Sequence, residues 1–254
     1  MTDEPTIRRV ALIRHADYHQ QIDTPSALQP FPLTRRGERQ AREGAEEVLT
    51  LCQTHGWQPA STVHASSLLR AWQTAQVMNE VMGDRTEREF SLMAHDALWE
   101  RSLGSAANLT TAQIAEAVRH DPRVDFLPAD WKSNSHFRLP LPGAESLMQA
   151  GQRVADFIAS LPASPSAPTS APTSTSTSTS ISPPTSGATL TLIVGHGAAL
   201  RHAAHLLGVL DFDQIAGLSM HHARPVVIEE TPPGSWRHVA GEWKVRQRHE
   251  PAQD

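Results

Sequence analysis

The feature that most constrains the fold is the alternation of short apolar runs with helical patterns along most of the chain. The strongest apolar run, residues 188–194, ends at Gly195, and a helical pattern begins at Ala198. Short runs rich in β-branched residues are typical of buried strands, and strands separated by helices pack as a parallel sheet. The sequence therefore predicts a three-layer α/β/α fold with a mostly parallel central sheet.

The same patterns give the expected element boundaries. They indicate strands at 9–13, 62–65, 91–98, 188–194, 225–229 and 236–245, and helices at 34–51, 69–82, 110–119, 145–161 and 198–207. Thr34 is expected to cap the first helix, which should stop near Gly56. Ser66 and Ser67 are expected to cap the second, which should stop at Gly83.

One segment has the wrong composition for a packed core. Residues 162–187 are almost entirely Ser, Thr, Pro and Ala, so they cannot bury enough apolar surface to offset the entropy of ordering. Because loop length adds little to the entropy of closure, we expect a disordered insertion within a single domain spanning 1–254. A phosphorylated or glycosylated regulatory tract stays open as an alternative.

Charge and composition exclude several classes of protein. The net charge of −5 leaves no global basic field for nucleic acid or anionic lipid. The apolar runs are too short for a membrane span, and the acidic start is unlike a signal peptide. The lone Cys52 excludes an intrachain disulfide. We therefore expect a soluble cytoplasmic protein with no nucleic-acid or membrane partner, and both a monomer and a homodimer stay open.

Two histidines directly follow predicted strands. Arg14-His15 comes after the first strand, and Gly195-His196-Gly197 comes after the strongest one. In open α/β sheets, ligands bind beyond the carboxyl ends of the strands. Although the Arg-His dipeptide recurs elsewhere in the chain, only this first copy follows a strand-like run. We therefore expect His15 and His196 to face each other across one site.

An ordered set of motifs accompanies these histidines. It consists of Arg14-His15-Ala16, Leu33-Thr34-Arg35-Arg36-Gly37 with Gln40-Ala41, Ser66-Ser67-Leu68-Leu69-Arg70 with Thr74-Ala75, Leu98-Trp99-Glu100-Arg101 with Gly104, Pro142-Gly143-Ala144-Glu145-Ser146, and Gly195-His196-Gly197 with Leu200-Arg201. In this order the set resembles the histidine phosphatase superfamily, in its phosphoglycerate-mutase-like branch. The resemblance covers the chain outside the 162–187 segment.

The resemblance implies a role for each matching residue. His15 corresponds to the nucleophile that becomes phosphorylated, and Glu100 to the carboxyl group that protonates the leaving oxygen. The remaining catalytic and phosphate-binding positions correspond to Arg14, Arg70, His196 and Gly197. No cofactor and no metal are implied.

The chemistry of phosphoryl transfer requires residues of these types. An imidazole attacks phosphorus only when neutral, and neighbouring guanidinium groups disfavour its charged form. The same guanidinium groups neutralise phosphoryl oxygens with fork-shaped donors. A carboxylic acid protonates the leaving oxygen and then acts as base for water. Asp96 and Glu145 are the alternative carboxyl groups.

Other chemistry has weaker support in the sequence. Ser66 and Ser67 lack the Gly-x-Ser-x-Gly context of a serine nucleophile. His202 with His205, and the pair His221-His222, lack accompanying carboxylates or thiols at metal-ligand spacing. We therefore interpret these residues as structural.

The sequence also departs from the family pattern. Ala16 replaces the glycine of the Arg-His-Gly motif, and Asp17-Tyr18-His19 replaces the usual residues that follow it. The stretch 105–140 has only scattered basic residues where mutases carry adjacent arginines. We therefore predict a phosphatase that acts on a phosphorylated small molecule or a phosphoprotein. The alternatives are a phosphoglycerate-mutase-type phosphotransferase and a non-catalytic module that binds phosphorylated ligands.

Overall fold

The computed structural model describes residues 7–162, 188–231 and 234–246. The acidic start of the chain and nearly all of the predicted 162–187 insertion, from residue 163 onward, lie outside the described residues. Within the described part, no helix combines the length and apolar character needed to cross a bilayer.

Strands and helices alternate through most of the chain. The strands are β1 (Arg9–Arg14), β2 (Trp57–Ser66), β3 (Ser91–His95), β4 (Ala188–Gly195), β5 (Leu218–Ser219), β6 (Pro225–Thr231), β7 (Ser235–Gly241) and β8 (Lys244–Val245). The helices are α1 (Arg35–His55), α2 (Leu69–Thr86), α3 (Thr111–Arg119), α4 (Leu147–Ser160), α5 (Gly197–Leu206) and α6 (Phe212–Gly217). Two 3₁₀ turns, Asp96–Leu98 and Gly104–Ala106, lie between β3 and α3.

Six strands form the central sheet in the order β3-β2-β4-β1-β6-β7. The pairings β3–β2, β2–β4 and β4–β1 are parallel, whereas β6 and β7 are added antiparallel at one side. Consecutive residues of a strand point to opposite faces. Accordingly, Ala11 and Ile13 pack with residues of α1 and α2, while Val10 and Leu12 pack with residues of α4 and α5. The predicted three-layer, mostly parallel fold is confirmed.

The first helix has the predicted ends. The Oγ1 atom of Thr34 accepts a hydrogen bond from the backbone N–H of Gly37 at 3.0 Å. At the other end, Gly56 adopts a left-handed conformation with φ of 68°. Because that conformation is costly for residues with a Cβ, glycine makes an effective stop.

The predictions for the two ends of α2 and for the last strand were wrong. The N-cap of α2 is Leu68, not Ser66 or Ser67, and α2 continues past Gly83 to Thr86. The side chain of Ser66 is buried and bonds to His196, and its Oγ atom also accepts from the backbone N–H of Leu68 at 3.2 Å. The predicted strand at 236–245 is interrupted after Gly241, and its last part is β8, which pairs with β5 in a separate small sheet.

Sheet register brings two strand ends together. β1 and β4 are adjacent and parallel, and Arg14 pairs with Gly195 at their carboxyl ends. The backbone N–H of His15 donates to the carbonyl of Gly195 at 2.8 Å. His15 and His196, the residues that directly follow these two strands, are therefore neighbours at the carboxyl ends of the central strands.

Candidate active site

The side chains of His15 and His196 lie next to each other at this edge. Their ring centroids are 5.1 Å apart, and neither residue exposes more than 2% of its surface. The sequence predicts this juxtaposition, since each histidine directly follows a strand of the parallel part of the sheet. The residues around the pair determine what its nitrogen atoms can do.

A hydrogen bond to the adjacent carbonyl determines the tautomer of His15. Its Nδ1 atom lies 2.8 Å from the carbonyl oxygen of Ala16, which only accepts, so Nδ1 carries the proton. A neutral imidazole then has its lone pair on Nε2. Burial, followed by the charge of Arg70, holds the pKa of His15 well below its usual range. His15 is therefore a neutral imidazole with an available Nε2.

Arg70 is a fully buried cation beside this pair. Its Nη2 atom donates to Nδ1 of His196 at 3.2 Å and to the carbonyl of Ala27 at 2.8 Å. Its Nη1 atom donates to the carbonyl of Gln29 at 3.0 Å, and its Nε atom is buried without a partner among the described residues. The centre of the guanidinium group lies 4.8 Å from the ring centroid of Tyr18.

The contact with Arg70 determines the tautomer of His196. A guanidinium group only donates, so Nδ1 of His196 accepts and the ring proton sits on Nε2. That Nε2–H donates to Oγ of Ser66 at 2.9 Å. Burial, then Arg70 and Arg14, lowers the pKa of His196 well below the usual value. Gly197 directly follows as the first residue of α5.

Arg14 borders the site on the side of β6. Its Nη1 atom lies 3.4 Å from the carbonyl oxygen of Met220. The positive charge of Arg14 contributes to the low pKa values of His15 and His196, which places it within electrostatic range of both rings. Arg14 and Arg70 therefore both disfavour the charged forms of the two histidines.

A third histidine, His222, was missed as a site residue. Its Nδ1 atom donates to the backbone carbonyl of His15 at 2.7 Å, and the two ring centroids are 5.7 Å apart. Burial, then Arg14, lowers its pKa to about 4. Its position follows from β6 pairing antiparallel with β1, because residues before β6 then lie at the carboxyl end of β1. The sequence predicts the strand at 225–229 but not its antiparallel pairing with β1, so it carried no signal for this role of His222.

The loop between β1 and α1 contributes Tyr18. Its ring centroid lies 5.3 Å from that of His15, and its hydroxyl group is 2.9 Å from Oγ of Ser26. The carbonyl groups of Ala27 and Gln29 in the same loop accept from Arg70. This loop therefore covers the histidine pair, which explains why the pair is buried.

Glu100 lies on an irregular segment between the two 3₁₀ turns. It is 4% exposed, and its Oε1 atom accepts from the backbone N–H of Arg101 at 2.9 Å. When ionised, the carboxylate of Glu100 raises the pKa values of Arg70 and Tyr18, so it lies within electrostatic reach of both. Glu100 also borders a small cavity whose other lining residues are Pro25, Ala27, Arg101, Leu103, Leu147 and Ala198.

The alternative carboxyl groups lie elsewhere. Asp96 accepts a hydrogen bond from the exposed hydroxyl group of Ser67 at 2.5 Å. Both carboxylate oxygens of Glu145 are bound by Arg153. Of these three carboxylates, only Glu100 borders the cavity described above.

His202 and His205, which the sequence offered as possible metal ligands, bond to other groups of the chain. His202 contacts Ser135 and the carbonyl of Ala198, and His205 contacts the carbonyl of Leu210. Among the described residues, no group of three or more histidine, cysteine, aspartate or glutamate side chains is arranged to hold a metal ion.

The fold and this strand-end site define a three-layer α/β protein with a buried cluster of histidine and arginine side chains at the carboxyl ends of its parallel strands. The sequence profile of the histidine phosphatase superfamily (branch 1) matches residues 10–171. The chain belongs to that superfamily. A comparison with curated proteins finds no match to this sequence.

Solved structures show the same fold. The mycobacterial glucosyl-3-phosphoglycerate phosphatase superposes with a TM-score of 0.61 at 21% identity, covering 91% of this chain and 97% of that one. A structure named mycobacterial hydrolase 1 superposes with a TM-score of 0.60 at 21% identity, covering 92% of this chain and 97% of that one. A candidate alpha-ribazole-5'-P phosphatase from Escherichia coli superposes with a TM-score of 0.58 at 20% identity, covering 94% of this chain and 96% of that one.

Proposed function

We propose that this chain is a metal-independent phosphomonoesterase that transfers the phosphoryl group of its substrate to Nε2 of His15 and then to water. The proposal rests on the 2.8 Å contact between Nδ1 of His15 and the carbonyl oxygen of Ala16. This contact holds the ring proton on Nδ1 and leaves the lone pair on Nε2. The nearby buried cation of Arg70 supports a role in binding a phosphoryl anion. Membership of the histidine phosphatase superfamily supports the same chemistry.

In the first step, the Nε2 lone pair of His15 forms a bond to phosphorus. The bond between phosphorus and the ester oxygen breaks, and its electron pair leaves with that oxygen. The carboxylic acid of Glu100 gives its proton to the leaving oxygen, so an alcohol departs. The intermediate is a phosphohistidine whose Nδ1–H still donates to the carbonyl of Ala16.

In the second step, water attacks the phosphorus atom of the phosphohistidine. The carboxylate of Glu100 takes a proton from this water, and the bond between phosphorus and Nε2 breaks. Inorganic phosphate leaves, and His15 returns to its neutral form with Glu100 protonated. No group outside the chain, the substrate and water is required.

The phosphoryl oxygens are bound in this proposal by Arg14, Arg70, His196 and the N–H groups at the start of α5 around Gly197. Helix N-termini present N–H groups that lack intrahelical partners. Arg70 has its buried Nε–H available and exchanges its bonds to the Ala27 and Gln29 carbonyls for phosphoryl oxygens. His196 likewise exchanges Ser66 for a phosphoryl oxygen.

We propose a small phosphate ester as the substrate. The near-complete burial of His15 and His196 beneath the loop that carries Tyr18 fits a small ester better than a folded phosphoprotein. The names of the similar phosphatases, glucosyl-3-phosphoglycerate phosphatase and alpha-ribazole-5'-P phosphatase, also refer to small molecules. The absence of a second cysteine to pair with Cys52 favours work in a reducing compartment, and we place the enzyme in the cytoplasm.

Hydrolysis is favoured over mutase activity by the region between the 3₁₀ turns and α4. Within it, Arg119 pairs with Glu116, and Arg123 pairs with Asp121 at the surface. These two arginines are thus engaged in local pairs, and their own side chains are largely exposed. They do not form the adjacent basic pair that a mutase uses to hold a carboxylate.

A panel of phosphate esters tests the proposed function. The wild-type chain should release inorganic phosphate from p-nitrophenyl phosphate and from at least one alkyl phosphate, with the same rate when a chelator is present. His15→Ala should abolish release, whereas His120→Ala, in the exposed Arg119-His120 copy of the dipeptide, should leave it unchanged. Isomerisation of 3-phosphoglycerate without phosphate release, or phosphate binding without any turnover, would contradict the proposal.

A further inference from the structure

Glu145 and Arg153 form a forked ion pair outside the histidine site. Nε of Arg153 donates to one carboxylate oxygen of Glu145 at 3.0 Å, and Nη2 donates to the other at 2.8 Å. Arg153 lies on α4, and Glu145 precedes the Ser146 cap of that helix. Both side chains are only partly exposed, so the pair is fixed in geometry.

This pair also binds the backbone on each side of Glu100. Before Glu100, Nη1 of Arg153 donates to the carbonyl of Ala97 at 2.9 Å and to that of Trp99 at 3.1 Å. After Glu100, the carboxylate of Glu145 accepts from the N–H of Ser102 at 3.0 Å. The N–H of Glu145 donates back to the carbonyl of Ser102 at 2.8 Å. The segment 97–102 is thus held at both ends by one ion pair.

Residues 99–102 need such support because no helix or strand contains them. Glu100 lies between the turns Asp96–Leu98 and Gly104–Ala106. The hydrogen bond identified for its carboxyl group is local, from the N–H of the next residue. The direction of the carboxyl group therefore depends on the path of the backbone, which Glu145 and Arg153 fix.

We propose that Glu145 and Arg153 are positioning residues that hold Glu100 where it exchanges protons with the leaving oxygen and with water. This role rests on the proposed function, since it concerns the proton donor of that reaction. Small displacements of a catalytic group reduce rates strongly, by as much as roughly a hundredfold for about 1 Å. Lysine cannot replace Arg153, because a single ammonium group cannot span a carboxylate and two carbonyl groups.

Leaving-group dependence separates positioning from general damage. Nitrophenolate departs without a proton, so kcat/KM for p-nitrophenyl phosphate does not require Glu100 as an acid. An alkyl phosphate does require it. In Arg153→Lys, we expect kcat/KM for an alkyl phosphate to fall roughly ten- to a hundredfold, and that for p-nitrophenyl phosphate to change less than about threefold. Glu145→Gln provides a second variant with the same expected pattern.

Arg8→Lys is a matched control. Arg8 forks onto Glu230 and donates through Nη1 to the carbonyls of Ala159 and Leu161, each at 2.9 Å, the same combination of contacts at the far end of α4. Arg8→Lys removes an equivalent structural clamp that does not hold Glu100. It should therefore lower the unfolding midpoint without changing the ratio of kcat/KM between the two substrates.

The same comparison in a Glu100→Gln background completes the test. Once the acid is absent, Arg153→Lys should cause no further change in the alkyl-to-aryl ratio. An equal fall for both substrates, an unchanged ratio, or an additive effect with Glu100→Gln would overturn the positioning role alone. A wild-type chain that hydrolyses neither ester would overturn the proposed function and this role with it.

Discussion

Arg70 and His196, 126 positions apart in the sequence, share a hydrogen bond of 3.2 Å inside a site where neither side chain reaches solvent. This bond assigns the ring proton of His196 to Nε2. It also places a permanent positive charge beside His15, which disfavours the charged form of that imidazole. One buried guanidinium group thus determines the tautomer of His196 and disfavours protonation of His15.

Arg70→Lys should lower kcat/KM for every phosphate ester by roughly a hundred- to a thousandfold. A single lysine ammonium group cannot bond to His196 and present a two-pronged donor to the phosphoryl oxygens at the same time. Steady-state kinetics on p-nitrophenyl phosphate measures the effect. Arg85→Lys, in an exposed pair with Glu46, is the control and should behave as wild type. Activity of Arg70→Lys within a few-fold of wild type would exclude Arg70 from phosphate binding.

His222 should support the site through its hydrogen bond to the His15 carbonyl. His222→Asn keeps a donor for this carbonyl, so kcat/KM should stay within about threefold of wild type. His222→Leu removes the donor and should cost about 1–3 kcal/mol in the free energy of unfolding, with roughly a tenfold loss of kcat/KM. Urea denaturation and steady-state kinetics measure the two effects. If His222→Asn and His222→Leu have the same free energy of unfolding and the same kcat/KM, the hydrogen bond to the His15 carbonyl does not support the site.

Gly44→Ala should destabilise the fold where α1 packs against the residue that follows His222. A Cβ at position 44 would lie 2.0 Å from the carbonyl oxygen of Ala223, so the backbone must shift. Such overpacking costs typically about 1–3 kcal/mol. Gly217→Ala is the control, because a Cβ there meets nothing within 4 Å. If urea denaturation gives both variants the same midpoint, the close packing of α1 is contradicted.

Stability should fall as the pH is lowered from about 7 to 5. His15 and His196 have lowered pKa values in the folded chain, and burial lowers the pKa of His64 to about 4. A histidine in the unfolded chain takes up its proton near pH 6.5, so below that pH the unfolded state binds more protons than the folded state. The stabilisation is therefore present above this pH and is lost as the pH falls.

His64→Gln removes the contribution of one of these histidines to the pH dependence of stability. Its free energy of unfolding should depend less steeply on pH than that of wild type, by up to about 1.4 kcal/mol per pH unit. Urea denaturation at several pH values between 7.5 and 5 measures the slope. A wild-type stability that stays constant over this range would contradict the burial of neutral histidines.

The sequence was most informative where local pattern and tertiary structure agree. The cap at Thr34, the helix stop at Gly56 and the strand before His196 were predicted correctly, because each depends on residues that are close in the sequence. Ser66 misled the prediction because its hydroxyl group bonds to His196, a long-range contact that helix-capping rules do not include. Tyr18 and His222 were missed because an irregular loop and an antiparallel strand bring them to His15.

His15 is the residue proposed to carry the phosphoryl group between the substrate and water. Glu100→Gln offers the most direct test, because p-nitrophenyl phosphate needs no acid in the first step, whereas water attack in the second step needs the base. After rapid mixing and quenching, mass spectrometry of the digested protein should show one phosphoryl group on the peptide that contains His15. A single nitrophenolate per chain should be released in the same burst. A phosphoryl group on any other residue, or rapid turnover by this variant with no labelled His15 peptide, would contradict the account.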